Sequence, residues 1–159
     1  MTTTVRPATV GDAAAIVALN AHVQTIHADA HPWRYKRPGT APLSTEDAEA
    51  LISAPHLFTF VAEHHDIAVG YINVEIQRHA ETPYLHAHEM LYVHHVVVAP
   101  NARGRGIGAA LMDAAKAHGV HQGVTLMGLT VWSFNDRARQ FFRHYGLIAY
   151  NERLWNKID

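Results

Sequence analysis

The sequence predicts one α/β domain built round a mixed β-sheet. Apolar residues recur at helical spacing in four segments, and at strand spacing or as short apolar runs in six others. These segments alternate as β-α-α-β-β-β-α-β-α-β, with hairpins in the first half and β-α-β crossovers in the second. The chain has 159 residues, 48% of them hydrophobic, which suits a single domain over residues 1–159 with a sizeable core.

Val5 ends a short first strand. Gly11-Asp12 then offers an N-cap, and Ile16, Leu19, Val23 and Ile26 follow at helical spacing until Pro32. Residues 32–42 read as a loop in which Trp33 to Arg37 mix aromatic and basic side chains. Ser44 with Asp47 resembles a capping box, and the short helix it opens stops before Pro55. Residues 57–63 and 67–77 read as strands joined by a turn at His65-Asp66. In the second strand Ile72, Val74 and Ile76 alternate with Tyr71, Asn73, Glu75 and Gln77, which predicts one buried face.

Residues 81–88 read as a loop. Residues 90–99 form a long strand, apolar on both faces at Val96-Val97-Val98 and therefore central; Pro100 ends it. Residues 107–118 are helical up to Gly119, and residues 124–132 are a buried strand. Residues 135–145 form a helix closed by Gly146. Residues 147–158 are expected to close the sheet as a last strand.

Composition narrows the function classes. Thirteen basic residues against fourteen acidic ones give a net charge of −1, no reason to expect a nucleic-acid or anionic-membrane binder. The absence of cysteine excludes disulfides, thiolate metal ligands and thiol nucleophiles. Residues 1–6 carry no basic stretch followed by an apolar run, and no apolar run approaches the ~18 residues that span a bilayer, so a cytoplasmic location is expected. Fourteen histidines are scattered along the chain. His27 and His31 are four apart on a helix, but Pro32 follows at once and no HExxH pattern occurs, so no metal site is expected.

The most informative segment runs from Val96 through Pro100-Asn101-Ala102-Arg103-Gly104-Arg105-Gly106-Ile107-Gly108 to Leu111. A central strand enters a glycine-rich turn that opens a helix. Residues without side chains at 104, 106 and 108 let backbone N–H groups approach a ligand. The helix N-terminus adds unpaired donors and partial positive charge, which suits a pyrophosphate, and Arg103 and Arg105 add more. A Walker loop is excluded because no Gly-Lys-Ser/Thr follows. Gly104, Gly106 and Ala109 match a GxGxxA dinucleotide fingerprint, but that reading needs an acidic residue about 20 positions on, and 124–132 supplies none. A tight strand-to-helix turn with no ligand is the remaining alternative.

Arg103-Gly104-Arg105-Gly106-Ile107-Gly108 resembles the Q/R-x-x-G-x-G/A signature of the GNAT N-acetyltransferase superfamily. Asn135, Ala138, Phe141, Phe142 and Gly146-Leu147 resemble that family's N-x-x-A-x-x-F-Y-x-x-x-G-F segment, and residues 5–12 resemble its N-terminal strand and helix cap. The resemblance covers nearly the whole chain. It implies a mixed, mostly antiparallel sheet of six to seven strands with a splayed parallel pair, and about four helices.

It further implies that acyl-CoA binds where the parallel strands part. The backbone of Val96, Val97 and Val98 would pair with the pantetheine arm, in the manner of an added strand. Amides of Arg103, Gly104, Arg105, Gly106, Ile107 and Gly108 would hold the pyrophosphate, and Asn135 and Phe142 would contact the cofactor from the other side. Asn135 also reads simply as a helix N-cap.

The family reaction is direct attack of an amine on the thioester of acetyl-CoA, without a metal. An alkylamine of pKa ~10.4 must lose a proton, at roughly 4–5 kcal/mol at pH 7, and the oxyanion needs donors, which backbone N–H groups near Val98 could supply. His94 and His95 stand where relatives often carry a carboxylate base. Strand alternation turns one of them to the cleft, and His94 is preferred because it shares a face with Val96 and Val98; a bulge would reverse this. Glu89 and water are the other candidates. Phe142 replaces the family's acid tyrosine, leaving Tyr145, one helical turn on, as a substitute or merely as a packing residue. The expected acceptor is a small-molecule or peptide amine, and a homodimer is compatible with the fold. A non-catalytic acyl-CoA-binding or sensor domain is the main alternative function, and a histidine-rich metal binder a distant one.

Overall fold

The computed structural model describes residues 3–39 and 43–158. Its elements are β1 (Thr4–Pro7), α1 (Ala13–Ala30), α2 (Thr45–Ser53), β2 (Leu57–His64), β3 (Ile67–His79), β4 (His88–Val98), α3 (Ile107–His121), β5 (Met127–Leu129) and α4 (Asp136–Tyr145). The end of the loop expected over 32–42, at Thr40, Ala41 and Pro42, lies outside the described residues.

The five strands lie side by side in chain order. β1 to β4 are antiparallel neighbours, and β5 joins β4 in parallel after the α3 crossover. His65 and Asp66 both take positive φ, 51° and 59°, as a tight two-residue hairpin between twisted strands requires. Side chains alternate across the sheet to feed two cores. Ile72, Val74, Leu91 and Val93 pack with Leu111, Met112 and Phe142 on the α3/α4 face. Val61, Tyr71 and Val97 pack with Ile16, Leu19 and Ala48 on the α1/α2 face.

Local signals set the helix boundaries. Ser44 Oγ accepts from the Asp47 amide at 3.0 Å, and Asp47 accepts in return from the Ser44 amide, which fixes the start of α2. Asp12 caps the entry to α1 and receives two 2.9 Å bonds from the Arg6 guanidinium, which also reaches Glu63. The Arg6 contact holds the Asp12 carboxyl down at about 2, against the opposing effect of burial. One ionic cluster thus ties β1, β2 and the start of α1 together.

Four expectations are corrected. Among the described residues the sheet has five strands, not six to seven. Residues 147–158 form no strand; β5, at three residues, offers them only a short edge, and Ile148, Tyr150 and Leu154 stand exposed. The strand expected over 124–132 shrinks to Met127–Leu129, because the Val124 amide turns back to the Gly119 carbonyl at 2.9 Å to close α3. Helix α3 itself runs past Gly119. A Cβ there would lie 3.1 Å from Leu91, so this glycine serves helix–sheet packing, and the left-handed turn falls at Gly123, with φ +79°.

Candidate functional site

Strands β4 and β5 pair only at Leu91–Met127, Tyr92–Gly128 and Val93–Leu129. Beyond Val93, β4 continues to Val98 bonded to β3 on one side alone, with residues 70–73 of β3 opposite 95–98. Its other edge therefore has no strand partner along residues 94–98, and the Val98 carbonyl there accepts from the Arg103 side chain. A ligand with amides of its own fits such an edge as an added strand.

At the end of this edge stands the glycine-rich turn. Gly104 and Gly106 both have φ +77°, a region costly for other residues, and a Cβ at either would meet no atom within 4 Å. The space before them is open, and Gly106 is the N-cap of α3, with no side-chain cap. This is the physical form of an anion cradle. Gly108 serves packing instead. A Cβ there would sit 3.1 Å from the Phe141 ring, so its absence lets α4 close against α3. Arg105 is exposed beside the turn, whereas Arg103 turns inward and donates through Nε to the Val98 carbonyl at 3.0 Å. Burial lowers the pKa of Arg103, and the charge of Arg137 lowers it further. These groups fit the pyrophosphate end of CoA.

The two histidines sit at a β-bulge. Asn73 opposes His95 and Val74 opposes Val93, which leaves His94 as the extra residue. The simple alternation expected from the sequence is therefore corrected. Val96 and Val98 pack on the α3/α4 face, while both histidines turn to the α1 face, where their partners lie. His94 Nε2 meets Glu75 Oε2 at 2.8 Å, and the His94 ring lies edge-on to Tyr92, 5.0 Å between centroids. His95 Nδ1 is 3.2 Å from the Tyr71 hydroxyl, which accepts from Asn20 of α1 at 2.9 Å. Burial lowers the His95 pKa, which favours the neutral ring, and burial raises the Tyr71 phenol to about 12.

Hydrogen-bond chemistry narrows the tautomers. The Glu75 carboxylate can only accept, so His94 Nε2 carries a proton, and in the neutral ring Nδ1 keeps a lone pair. The Tyr71 hydroxyl accepts from Asn20, and the His95 tautomer that gives the phenol's own proton an acceptor is the one with a bare Nδ1, which leaves Nε2–H on His95. In that arrangement one ring takes a proton and the other gives a hydrogen bond.

The remaining residues lie elsewhere. Glu89 is exposed and bonded to Arg78 at 2.7 Å. The Tyr145 hydroxyl donates to Asp113 of α3 at 2.7 Å, and burial and that carboxylate raise its pKa. Phe142 is 8% exposed and packs in the α3/α4 core. Asn135 caps α4 by accepting from the Ala138 amide at 3.1 Å. Among the described residues, no group of three or more His, Asp or Glu side chains is arranged to hold a metal ion, and no helix is long and apolar enough to cross a membrane.

Residues 21–147 match the acetyltransferase (GNAT) family. The chain belongs to that family. No curated protein gives a match. Among solved structures, a tetramutant of the BH1408 protein from Bacillus halodurans is similar over 98% of this chain and 99% of its own, with TM-score 0.91 and 20% identity. A transcriptional regulator from Bacillus halodurans C-125 is similar over 99% and 100%, with TM-score 0.74 and 24% identity. The aminoglycoside N-acetyltransferase AAC(6')-Iy, in complex with the bisubstrate analog CoA-S-monomethyl-acetylneamine, is similar over 100% and 99%, with TM-score 0.75 and 19% identity. At these identities the likeness is one of fold.

Within this GNAT chain, sequence reasoning missed Glu75, Tyr71, Asn20 and Arg137. The alternation of β3 does put Tyr71 and Glu75 on its polar face. Their partners depend on where β4 bulges, and no local pattern marks that position.

Proposed function

We propose that this GNAT-family chain transfers the acetyl group of acetyl-CoA to an amine bound beside it in a ternary complex. The observation that carries this is the Glu75–His94 pair, set at a bulge on the open edge of β4. The open edge at 94–98 holds the pantetheine arm. The turn from Arg103 to Gly108 holds the pyrophosphate, with Arg105 and Arg137 adding charge. Asn135, at the start of α4, contacts the cofactor from the other side, while Phe142, buried in the α3/α4 core, supports that helix from within.

Amine nitrogen attacks the thioester carbon; the N–C bond forms, the C–S bond breaks, and the thiolate leaves. His94 Nδ1 takes the amine's proton, and Glu75 stabilises the imidazolium that results. Backbone N–H groups near Val98, and His95 Nε2–H in the tautomer that accepts from Tyr71, stabilise the developing negative charge. Tyr145 and Glu89, both engaged in hydrogen bonds, take lesser parts, and the thiolate departs without a dedicated acid. The aminoglycoside acetyltransferase among the structural neighbours supports a small-molecule amine as acceptor.

One feature favours a second reading, a non-catalytic acyl-CoA sensor: Phe142 stands where the family signature has tyrosine. Free-thiol release from acetyl-CoA in the presence of an amine panel separates the two. Amine-dependent release supports the enzyme, and binding without release supports the sensor.

A further inference from the structure

On the α1 face, aromatic rings from three parts of the chain converge. His31, at the end of α1, lies 4.9 Å from Trp132 and 5.2 Å from Phe134, both beyond β5. Trp33 packs on Trp155 of the C-terminal segment at 4.9 Å. Tyr35 stacks on His27 at 5.0 Å and meets Trp132 edge-on at 5.7 Å. None of these rings is buried, and Trp33 is 58% exposed, so they form an open wall and not a closed core. The loop that carries Trp33 and Tyr35 borders a shallow hollow of about 410 Å³, open to solvent and lined by residues 32–37.

The wall adjoins the proton-taking pair. Thr130, two residues before Trp132, bonds the Tyr92 hydroxyl at 2.8 Å, and Tyr92 touches His94. The charge lining the hollow is positive. Arg34 lies over the Trp132 ring at 5.4 Å, and no carboxylate of the described residues pairs with Arg34 or Lys36, while Arg37 pairs with Asp29.

We infer that the acceptor is an amine on a planar aromatic body that also carries a carboxylate, bound by the ring wall and by Arg34 and Lys36. The inference rests on the acetyltransferase reading above. Flat rings reward a flat partner. Arg34 already occupies the cation position over the aromatic face, so a polycationic amine meets repulsion where a carboxylate meets attraction.

The test uses the full chain, acetyl-CoA, and a panel of L-phenylalanine, L-tryptophan, 4-aminobenzoate, phenethylamine, spermidine and neamine. At least one aromatic amino acid or 4-aminobenzoate should show kcat/KM about tenfold or more above phenethylamine, spermidine and neamine. Trp33→Ala, at an exposed position, should raise KM for that acceptor about tenfold with kcat and acetyl-CoA affinity little changed. Arg34→Ala should erase the preference over phenethylamine. Turnover that favours spermidine or neamine overturns this inference and leaves the acetyltransferase reading intact.

A binding measurement stands apart from turnover: in CoA-loaded protein, L-phenylalanine or 4-aminobenzoate should change tryptophan fluorescence saturably, and Trp33→Ala should weaken the effect. Saturable binding without turnover for any amine would sustain the aromatic site while removing the enzymatic reading. No saturable change with either probe overturns the site.

Discussion

His94 Nε2 lies 2.8 Å from Glu75 Oε2, and the two side chains meet because β4 bulges at His94. Without the extra residue, strand alternation would send His94 and His95 to opposite faces. With it, both rings face α1, one against a carboxylate and one against a phenol. This pair leads to the first prediction. His94→Ala should lower kcat/KM about 10²-fold or more with acetyl-CoA affinity little changed. Glu75→Gln should cost about tenfold, because the neutral amide no longer stabilises the imidazolium, and the double variant should lose little more than His94→Ala alone. His95→Ala should do less than His94→Ala. Equal small losses at 94 and 95 would point to water as the base.

The open space before Gly104 and Gly106 gives a second expectation. Acetyl-CoA should raise the Tm of the wild-type protein, since it binds only the folded state. Gly106→Val should abolish that rise, measured from the variant's own Tm, because the side chain would fill the open space before the turn that the pyrophosphate needs, while its φ of +77° lowers the ligand-free Tm. Arg105→Ala removes an exposed charge without disturbing the turn, and should shrink the rise while leaving the ligand-free Tm in place. A full-sized rise in both variants would place the pyrophosphate elsewhere. A larger rise with NAD would favour the dinucleotide fingerprint.

Tyr145 offers a sharp contrast between two roles. Its hydroxyl is spent on Asp113, so Tyr145→Phe should leave kcat within about twofold and lower stability by about 0.5–1.5 kcal/mol, seen as a small drop in Tm. A tenfold fall in kcat would instead make Tyr145 the acid that protonates the thiolate.

The Arg6–Asp12 pair predicts a pH signature in stability. The folded carboxyl sits at about 2, below its unfolded value of 3.8, so its contribution is complete above the unfolded value and fades as pH falls toward 2. Asp12→Asn should cost about 1–2 kcal/mol at neutral pH, allowing for the solvent around Arg6. The gap between variant and wild type in thermal unfolding should narrow as pH drops from about 4 to 2.

Local chemistry explains which features can be read from the residues alone. The Ser44–Asp47 capping box, the His65-Asp66 turn, the Gly146 helix stop and the Gly104–Gly106 turn all act within a few residues, and each is visible as a pattern. Gly119 misleads because a packing glycine against Leu91 looks the same in sequence as a helix-ending one. Residues 147–158 mislead because a strand needs a partner edge as well as apolar side chains. The Glu75–His94 and Tyr71–His95 contacts depend on register between β3 and β4, which a single bulged residue resets. The gathering of Trp33, Trp132 and Trp155 round His31 depends on three distant segments and leaves no local trace.

A crystal structure of this chain with CoA bound would decide the placement of cofactor and base together. The pantetheine arm should run along residues 94–98 of β4, with the pyrophosphate on the amides from Arg103 to Gly108. The sulfur should lie at the mouth of the ring wall, with His94 Nδ1 within reach of an attacking amine directly or through one water. Density for CoA away from the β4 edge, or a sulfur on the α3/α4 side remote from His94, would refute the assignment of His94 as the base beside the thioester.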